Sequence, residues 1–206
     1  MHEGRGGPGG AGGREAGGGA EGFGGAEGPG AVEGPGAAGG ARVRLAPWTE
    51  HDFELLRQAN APELTTYLGG PESEERLRER HAGYVALSAT GPGRMLSVSL
   101  PTGERAGIVG YWERAWRGEV VWETGWTVLR AYQGRGIATA AALAVAALAT
   151  AEGTHRHLHA YPARENAASN AICRKAGFTL LGPCEIEYPP GRPVRCNDWR
   201  RTLPVR

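Results

Sequence analysis

The sequence predicts an α+β domain of three layers, in which helices flank a central, mixed, mostly antiparallel twisted sheet. Short alternating or apolar runs, which are typical of strands, are interleaved with longer segments of helical periodicity. Predicted hairpins lie near both ends of this region, and predicted helices connect the strands in its middle. Hairpins join antiparallel strands whereas helical crossovers join parallel ones, so the sheet is expected to contain both.

The first half of the domain is predicted to hold a strand, two helices and three further strands. Residues 42–46 alternate in polarity, and Thr49 supplies the N-cap of a helix that runs through Gln58. Ser73 begins a second helix, which reaches about Ser88. The three strands, of which the first two form a hairpin, are expected at residues 95–100, 107–113 and 120–128.

The second half is predicted to alternate helices with strands before it ends in antiparallel strands. An alanine-rich helix is expected over residues 137–152 with Gly153 at its end, followed by a strand near residues 157–161. Asn166 can cap the next helix, which Gly177 ends. The last strands are expected at residues 178–181, 184–188 and 194–202.

The first forty residues stand apart from this domain in composition. They hold 19 of the 35 glycines of the 206-residue chain, with scattered glutamates and few large apolar side chains. Such a segment would lose much backbone entropy on ordering and bury almost no apolar surface. We therefore predict a disordered Gly/Ala-rich tail over residues 1–40, as a solvated appendage or tether, and one domain over residues 41–206.

The charge and hydropathy of the chain argue against nucleic-acid and membrane binding. The formal net charge is +1, and no strongly basic patch is evident. The first thirty residues lack the apolar stretch of about 7–15 residues that a signal peptide requires. The longest apolar run, residues 137–151, is shorter than the roughly 20 residues that span a bilayer. We expect a soluble, cytoplasmic protein.

One pattern in the sequence could hold a metal, but we expect none to be bound. His155, His157 and His159 are spaced to share one face of a strand, as zinc ligands could. No acidic residue or cysteine accompanies them locally, so a polar strand face is the favoured interpretation. The cysteines are odd in number and outside any Cys-x-x-Cys pair, and reduced thiols are expected at Cys173, Cys184 and Cys196.

The most informative motif is a glycine-punctuated turn between a predicted strand and the alanine-rich helix. Gly134 and Gly136 lack the Cβ atoms that would keep an anion away from the backbone. The helix that starts at Ile137 has first-turn N–H groups without partners in the helix, and its positive dipole end lies at the same place. The turn is therefore predicted to bind a pyrophosphate.

Two other phosphate motifs fit this turn poorly. A dinucleotide fingerprint would place a third small residue where Thr139 stands, and an acidic residue about 20 residues further on, where only Glu165 is present. A P-loop needs a lysine, and the turn has none.

Two runs of the sequence together resemble the GNAT superfamily of N-acetyltransferases. The run Gln133-Gly-Arg-Gly-Ile-Ala, preceded by a strand with Glu123, resembles the coenzyme A pyrophosphate loop of that family. Asn166-Ala-Ala-Ser followed by Lys175-Ala-Gly-Phe resembles its second signature. The segments Glu-Thr-Gly-Trp (residues 123–126) and Asn-x-x-Ser (residues 166–169) are most similar to those of the branch that includes the acetylases of ribosomal-protein N-termini. The resemblance covers roughly residues 42–203 and implies a GNAT-like fold.

The resemblance also implies roles for individual residues. Glu123 matches the general base, acting directly or through water, although a nearby arginine could also be its partner. Ser169 matches the hydroxyl that contacts the coenzyme sulfur, and Tyr161 is the alternative because other branches use a tyrosine. The residues implied to bind the coenzyme are Val128, Gln133, Gly134, Arg135, Gly136, Ile137, Ala138 and Asn166, the last of which is also a helix cap.

Several further side chains are candidates for the acceptor site. Trp48, Trp116 and Tyr188 are expected near its mouth, and Glu185 and Glu187 could favour a cationic amine. In proteins that this chain resembles, the late hairpin borders the acceptor groove.

Together the residues and the resemblance predict an N-acetyltransferase that uses acetyl-coenzyme A as co-substrate and no metal. Transfer is expected to be direct, in a ternary complex without a covalent enzyme intermediate. The acceptor is expected to be a primary amine, with a peptide or protein N-terminus favoured. Two alternatives are an acetylase of aminoglycosides or other small amines, and a non-catalytic coenzyme A-binding regulatory module. No nucleic acid or membrane partner is expected, and a monomer and a homodimer fit equally well.

Overall fold

The chain folds into one sheet with helices on both faces, as seen in a computed structural model that describes residues 32–33, 41–188 and 191–204. Its strands are β1 (Val32–Glu33), β2 (Arg44–Pro47), β3 (Gly93–Ser99), β4 (Arg105–Trp116), β5 (Glu119–Val128), β6 (His157–Ala160), β7 (Thr179–Glu187) and β8 (Pro193–Thr202). Its α-helices are α1 (Phe53–Ala59), α2 (Pro62–Thr65), α3 (Glu74–Thr90), α4 (Ile137–Glu152) and α5 (Ala167–Lys175). The one-turn helix α2 was not expected from the sequence.

The strands lie in the order β1-β2-β3-β4-β5-β6-β8-β7. Neighbouring strands run antiparallel except for β5 and β6, which are parallel. The parallel pair arises because the chain crosses over through α4 between these two strands. The prediction of a mixed, mostly antiparallel sheet is confirmed.

Two hydrophobic clusters cover the two faces of the sheet. On one face α4 brings Val145 into a cluster with Val109 of β4, and on the other α1 and α3 bring Leu55 and Leu77 into a cluster with Ile108. All five side chains are buried. Complete burial of such a side chain stabilises the fold by roughly 1.5–3 kcal/mol. The three predicted layers are therefore present.

Helix α4 can approach the sheet closely because the residues on its buried side are small. Ala142, Val145 and Ala149 are completely excluded from solvent. The helix begins directly after Gly136 and ends at Gly153, at the bounds that the sequence predicts. Its N-terminus is thereby fixed beside the end of β5, where the site lies.

The last part of the sheet corrects the predicted strands. The sequence predicts separate strands at residues 178–181 and 184–188, but residues 179–187 form the single strand β7, with an irregular register between Leu180 and Gly182. Gly182 and Pro183 lie between the two predicted strands. Because β7 is the edge strand of the sheet, a proline without an N–H group can be accommodated there.

The predicted tail also needs one correction. Val32 lies opposite Leu45 and Glu33 lies opposite Arg44, so two residues of the range predicted to be disordered form an edge strand. Their backbone pairs with the edge that β2 would otherwise leave open. The other residues of the predicted 1–40 tail lie outside the described part of the chain.

Candidate active site

The site lies where β5 and β6 separate. The two strands are paired at only two positions, Trp122 with Leu158 and Glu123 with His159. Beyond them β5 continues alongside β4, while the chain after Ala160 turns away. The gap is a cleft of about 690 Å³, which residues 123–128 line on one side and residues 160–163 on the other.

The edge of β5 that faces this cleft offers free backbone groups. The Leu129 N–H donates to the Ala106 carbonyl at 2.9 Å, which sets the alternation of the β4–β5 ladder. By this alternation Trp126 and Val128 direct their N–H and C=O groups toward the cleft. The Val128 carbonyl already accepts a hydrogen bond from Nε2 of Gln133 at 3.0 Å. An extended ligand with amide groups can therefore pair with β5 as an added strand would.

The glycine turn closes one end of the cleft and leaves room for an anion. Gly134 and Gly136 have φ values of 73° and 77°, in the left-handed region that favours glycine. A Cβ atom at Gly134 would meet no atom within 4 Å, and one at Gly136 would meet only Ala41, at 3.9 Å. The first helical bond of α4 runs from the Ala140 N–H to the Gly136 carbonyl, so the preceding amides point outward unpaired in the helix. This is the geometry of an anion site at a helix N-terminus.

Most of the residues predicted to bind the coenzyme line this cleft, and one does not. The lining includes the predicted residues Val128, Gln133, Gly134, Gly136, Ile137, Ala138 and Asn166. Arg135 is exposed and lies outside the lining, with its guanidinium 5.6 Å from the centre of the Tyr132 ring. Its neighbours in the turn point into the cleft, so its backbone still belongs to the turn while its side chain lies at the surface.

Glu123 lies at the apex of the cleft. Its side chain is 13% exposed, and its Oε2 accepts a hydrogen bond from Nη1 of Arg114 at 2.7 Å. Burial raises the pKa of Glu123 above its ordinary value, and the Arg114 cation opposes that rise. Glu123 therefore lines the cleft and is also the ion-pair partner of an arginine.

Ser169 and Asn166 meet at the start of α5. The Asn166 side chain caps the helix by accepting the Ser169 N–H at 3.0 Å, as expected, and both residues also line the cleft. Tyr161 lies on the same side of the cleft, where its buried hydroxyl has no hydrogen-bond partner among the described residues. Burial raises the pKa of Tyr161, so its hydroxyl is protonated at neutral pH. Two residues with hydroxyl groups thus line the cleft.

Residues of helix α3 and of strand β7 form a further part of the cleft lining, here called the α3–β7 side. Nη2 of Arg80 donates to Oε1 of Glu72 at 2.5 Å and to the Tyr188 hydroxyl at 2.7 Å. Tyr84 and Ile186 line the same region. This side therefore combines aromatic and aliphatic surface with one cation that is already paired.

Of the aromatic residues predicted near the acceptor mouth, Tyr188 lines the cleft, whereas Trp48 and Trp116 do not. Trp48 is 3% exposed and belongs to the core, where its Nε1 donates to His81. Trp116 donates to Asp198 at 2.9 Å and does not line the cleft.

The two acids of β7 also differ from the prediction. Glu185 and Glu187 are exposed and alternate with Ile186 of β7 and with Tyr188, which directly follows the strand, and these two residues line the cleft. Glu187 instead accepts the Gly191 N–H at 3.0 Å. Because successive side chains of a strand point to opposite faces, neither acid can form the rim of the cleft.

The three histidines do not share a strand face. His155 contacts the Trp122 ring and bonds to Glu113 at 2.8 Å, on the α4 face of the sheet. His157 and His159 lie on the opposite face, where they contact different carboxylates, those of Glu119 and Asp198. No group of three potential metal ligands occurs among the described residues. The expected common face is wrong because residue 155 precedes β6, which begins at His157.

Several residues that line the cleft were not predicted from the sequence, among them Arg80 and Tyr84. Sequence reasoning also missed Asn170, whose buried side chain bonds to the Ala163 carbonyl and accepts N–H groups from Asn197 and Trp199. A polar residue one turn after the Asn166 cap was the available signal for Asn170. Nothing local marks Arg80, because its partner Tyr188 lies more than a hundred residues away.

Residues 42–179 match the family described as the acetyltransferase (GNAT) domain, which is more than half of the chain. No curated protein matches the sequence. In the described residues, no helix is long and apolar enough to cross a membrane.

The fold is similar to those of solved acetyltransferases. One, from Salmonella typhimurium, modifies the N-terminal serine of 50S ribosomal subunit protein L7/L12 (TM-score 0.65, 22% identity, 79% of this chain and 95% of that chain). Another is the aminoglycoside acetyltransferase AAC(6')-Ib in complex with coenzyme A (0.64, 20%, 78% and 94%). A third is the microcin C7 self-immunity acetyltransferase MccE with acetyl-CoA and AMP (0.65, 16%, 82% and 96%).

Proposed function

The chain belongs to the GNAT superfamily of acetyl-CoA-dependent acetyltransferases, and from this premise we propose that it acetylates a primary amine by direct transfer within a ternary complex. The observation that carries the proposal is the position of Glu123. Its carboxylate lies at the apex of a cleft whose one end is the Gly134–Gly136 turn. A bound thioester and a bound amine can then reach the same carboxylate.

The coenzyme fits the first part of the cleft. The turn and the start of α4 would hold its pyrophosphate, and the open edge of β5 at Trp126 and Val128 would pair with the amides of its pantetheine arm. Asn166 would add a side-chain bond. When bound, acetyl-CoA supplies the activated acyl group, and the protein contributes its placement.

Glu123 is proposed to take the proton of the amine, directly or through a water molecule. The neutral nitrogen can then form a bond to the acyl carbon while the carbon–sulfur bond breaks, and the second proton that the nitrogen loses balances the charge of the departing thiolate. A hydroxyl, from Ser169 or Tyr161, would donate a hydrogen bond or proton to the departing thiolate. The raised pKa of Glu123 supports the role of base, because a more basic carboxylate accepts a proton more readily.

A peptide or protein α-amine is the proposed acceptor. The described lining of the cleft contains two acidic side chains, Glu63 and Glu123, and two basic ones, Arg80 and Lys175. An aminoglycoside carries several positive charges and would need more acidic partners than this. The α3–β7 side also offers the apolar and aromatic surface that a peptide can bury. Acetylation of an N-terminal serine by one structural neighbour agrees with this proposal.

The test is a screen of acceptors with purified protein and acetyl-CoA, in which release of free thiol is followed. Short peptides with a free α-amine should release thiol faster than aminoglycosides, and the same peptides with a blocked α-amine should not react. Faster reaction with aminoglycosides would favour the small-amine alternative. Coenzyme A binding without transfer to any amine would favour a non-catalytic module.

A further inference from the structure

Arg114 forms an ion pair with Glu123 but does not itself line the substrate cleft. It is on β4, whereas Glu123 is on the neighbouring strand β5, and Nη1 of Arg114 lies 2.7 Å from Oε2 of Glu123. Arg114 is not among the residues that line the cleft. Its effect on a bound substrate would therefore have to pass through residues that do line the cleft, and among these it forms an ion pair with Glu123.

Two aromatic rings hold the guanidinium of Arg114 in place. It lies 5.6 Å from the centre of the Trp116 ring and 5.1 Å from the centre of the Tyr161 ring. Both distances are within the range of cation–π attraction. An arginine side chain loses rotamer freedom when it forms an ion pair. Because the two rings already restrict Arg114, it loses less of that freedom when it pairs with Glu123.

A buried carboxylate, that of Asp198, in turn holds the Trp116 ring. Its Nε1 donates to Oδ2 of Asp198 at 2.9 Å, and Oδ1 of the same carboxylate bonds to Nδ1 of His159 at 2.7 Å. Asp198 is completely buried and His159 is 3% exposed. A buried and fully paired carboxylate has little freedom to move. Asp198 therefore restricts the position of the Trp116 ring that contacts Arg114.

We propose that Arg114 is a positioning residue for Glu123: it holds one carboxylate oxygen in place and sets the pH range in which this carboxylate accepts a proton. The inference rests on the proposed function, in which Glu123 is the base. It assigns a specific task to a residue that touches neither substrate and that no sequence motif marks.

The charges around Glu123 make Arg114 the dominant cation. The titratable or polar groups around Glu123 and Arg114 include Trp112 of β4, His159 and Tyr161 at the end of β6, Cys184 of β7 and Tyr188 just after it, Cys196 and Asp198 of β8, and Arg80 and Tyr84 of α3. Among them Arg114 is the cation whose charge acts on Glu123. Burial lowers the pKa of His159, which is therefore neutral at pH 7. Burial raises the pKa values of the tyrosines and of Cys196, so these are neutral as well. Arg80 is paired with Glu72.

The charge of Arg114 determines in which direction the pKa of Glu123 moves when that charge is lost. A cation beside a carboxylate favours its ionised form and lowers its pKa, in opposition to the burial that raises it. Loss of the Arg114 charge therefore raises the pKa of Glu123 further. The rate falls at acidic pH because Glu123 becomes protonated. The midpoint of this fall should therefore move to higher pH.

The experiment combines a direct titration with kinetics. The carboxyl carbon of Glu123 is followed by ¹³C NMR against pH in the wild type and in Arg114→Met and Arg114→Gln, and its signal is assigned by its absence in Glu123→Gln. We expect both neutral variants to raise the midpoint by about one pH unit or more. Arg114→Lys keeps the charge and should restore most of the wild-type midpoint. Arg76→Met, on the exposed face of α3, removes one positive charge elsewhere and should leave the midpoint unchanged.

The kinetic arm separates a positioning role from a structural one. The acid limb of kcat/KM should move together with the NMR midpoint, while the affinity for coenzyme A stays within about twofold of wild type, a change of less than 0.5 kcal/mol. An unchanged midpoint in folded Arg114→Met or Arg114→Gln overturns the inference, whatever the activity. Absence of acetyl transfer by the wild type, with a midpoint that still depends on Arg114, would instead contradict the proposed function.

Discussion

Glu123 lies opposite His159, and this is the last pair that joins β5 to β6 before the strands separate. The carboxylate therefore sits where two paired strands still hold the backbone and where the cleft begins. A base needs both a fixed position and access to substrate, and this location provides them.

Gly136→Ala should weaken coenzyme A binding by about tenfold or more, or ~1.4 kcal/mol. The added methyl group would project into the space in which the turn can receive a phosphate, because the protein itself leaves that space open. Isothermal titration calorimetry measures the change.

Gly153→Ala is the matched control for that variant. Gly153 ends the same helix, has a similar φ of 70° and also faces open space, so both alanines impose a comparable backbone strain of about 1–2 kcal/mol. Only the variant at the N-terminus of α4 should lose affinity. Equal affinities in the two variants would remove the turn from the binding site.

Glu123→Gln should lower kcat by about 10²–10⁴-fold at neutral pH, because the amide cannot accept the proton of the amine. The affinity for coenzyme A should stay close to that of the wild type. Steady-state kinetics with a peptide acceptor, together with calorimetry, measure both values. A wild-type rate in this variant would show that another group is the base.

The pH dependence of the wild type follows from the environment of the same residue. Burial raises the pKa of Glu123 above the ordinary 4.5, so kcat/KM should decline on acidification with a midpoint above that value. The sign is set by the need for an ionised carboxylate. A rate that is flat down to pH 4.5 while the protein remains folded would contradict a raised pKa.

The two hydroxyls near the cleft can be separated by variants that remove each one alone. Tyr161→Phe should lower kcat more than Ser169→Ala, because the buried Tyr161 hydroxyl has no partner among the described residues whereas Ser169 lies in the first turn of a helix. Rates with acetyl-CoA and one peptide acceptor decide between them. A greater loss in Ser169→Ala would assign the thiolate to the serine.

The alternation of side chains along β7 gives a prediction for the acceptor. Tyr188→Ala should raise the KM for a peptide amine several-fold, since Tyr188 lines the cleft and bonds to Arg80. Glu187→Lys, one residue earlier, should leave that KM unchanged because Glu187 points away from the cleft. The reverse pattern would place the acceptor on the other face of β7.

Local sequence signals were sufficient for much of the fold. The bounds of α4 follow from the glycines at both of its ends, and Asn166 and Gly177 mark those of α5, because caps act within a few residues. The prediction of two strands in place of β7 is wrong. Gly182 and Pro183 commonly interrupt strands, but an edge strand can accommodate them, and the local sequence does not show that β7 lies at an edge.

The site was only partly predictable, for a different physical reason. The turn and Glu123 follow each other in sequence, so one motif shows both. Arg114 and Arg80 owe their positions to strand register and to the packing of α3 against the sheet, which are long-range properties. The exposure of Glu185 and Glu187 likewise depends on which face of β7 meets the cleft, and composition alone does not fix that.

The most direct test of the proposed activity is the location of the acetyl group on a peptide that carries both a free α-amine and an internal lysine. After incubation with acetyl-CoA, tandem mass spectrometry should find the acetyl group on the α-amine with wild-type protein, and essentially no product with Glu123→Gln. Acetylation of the lysine side chain instead, or equal product with the Glu123 variant, would contradict the account.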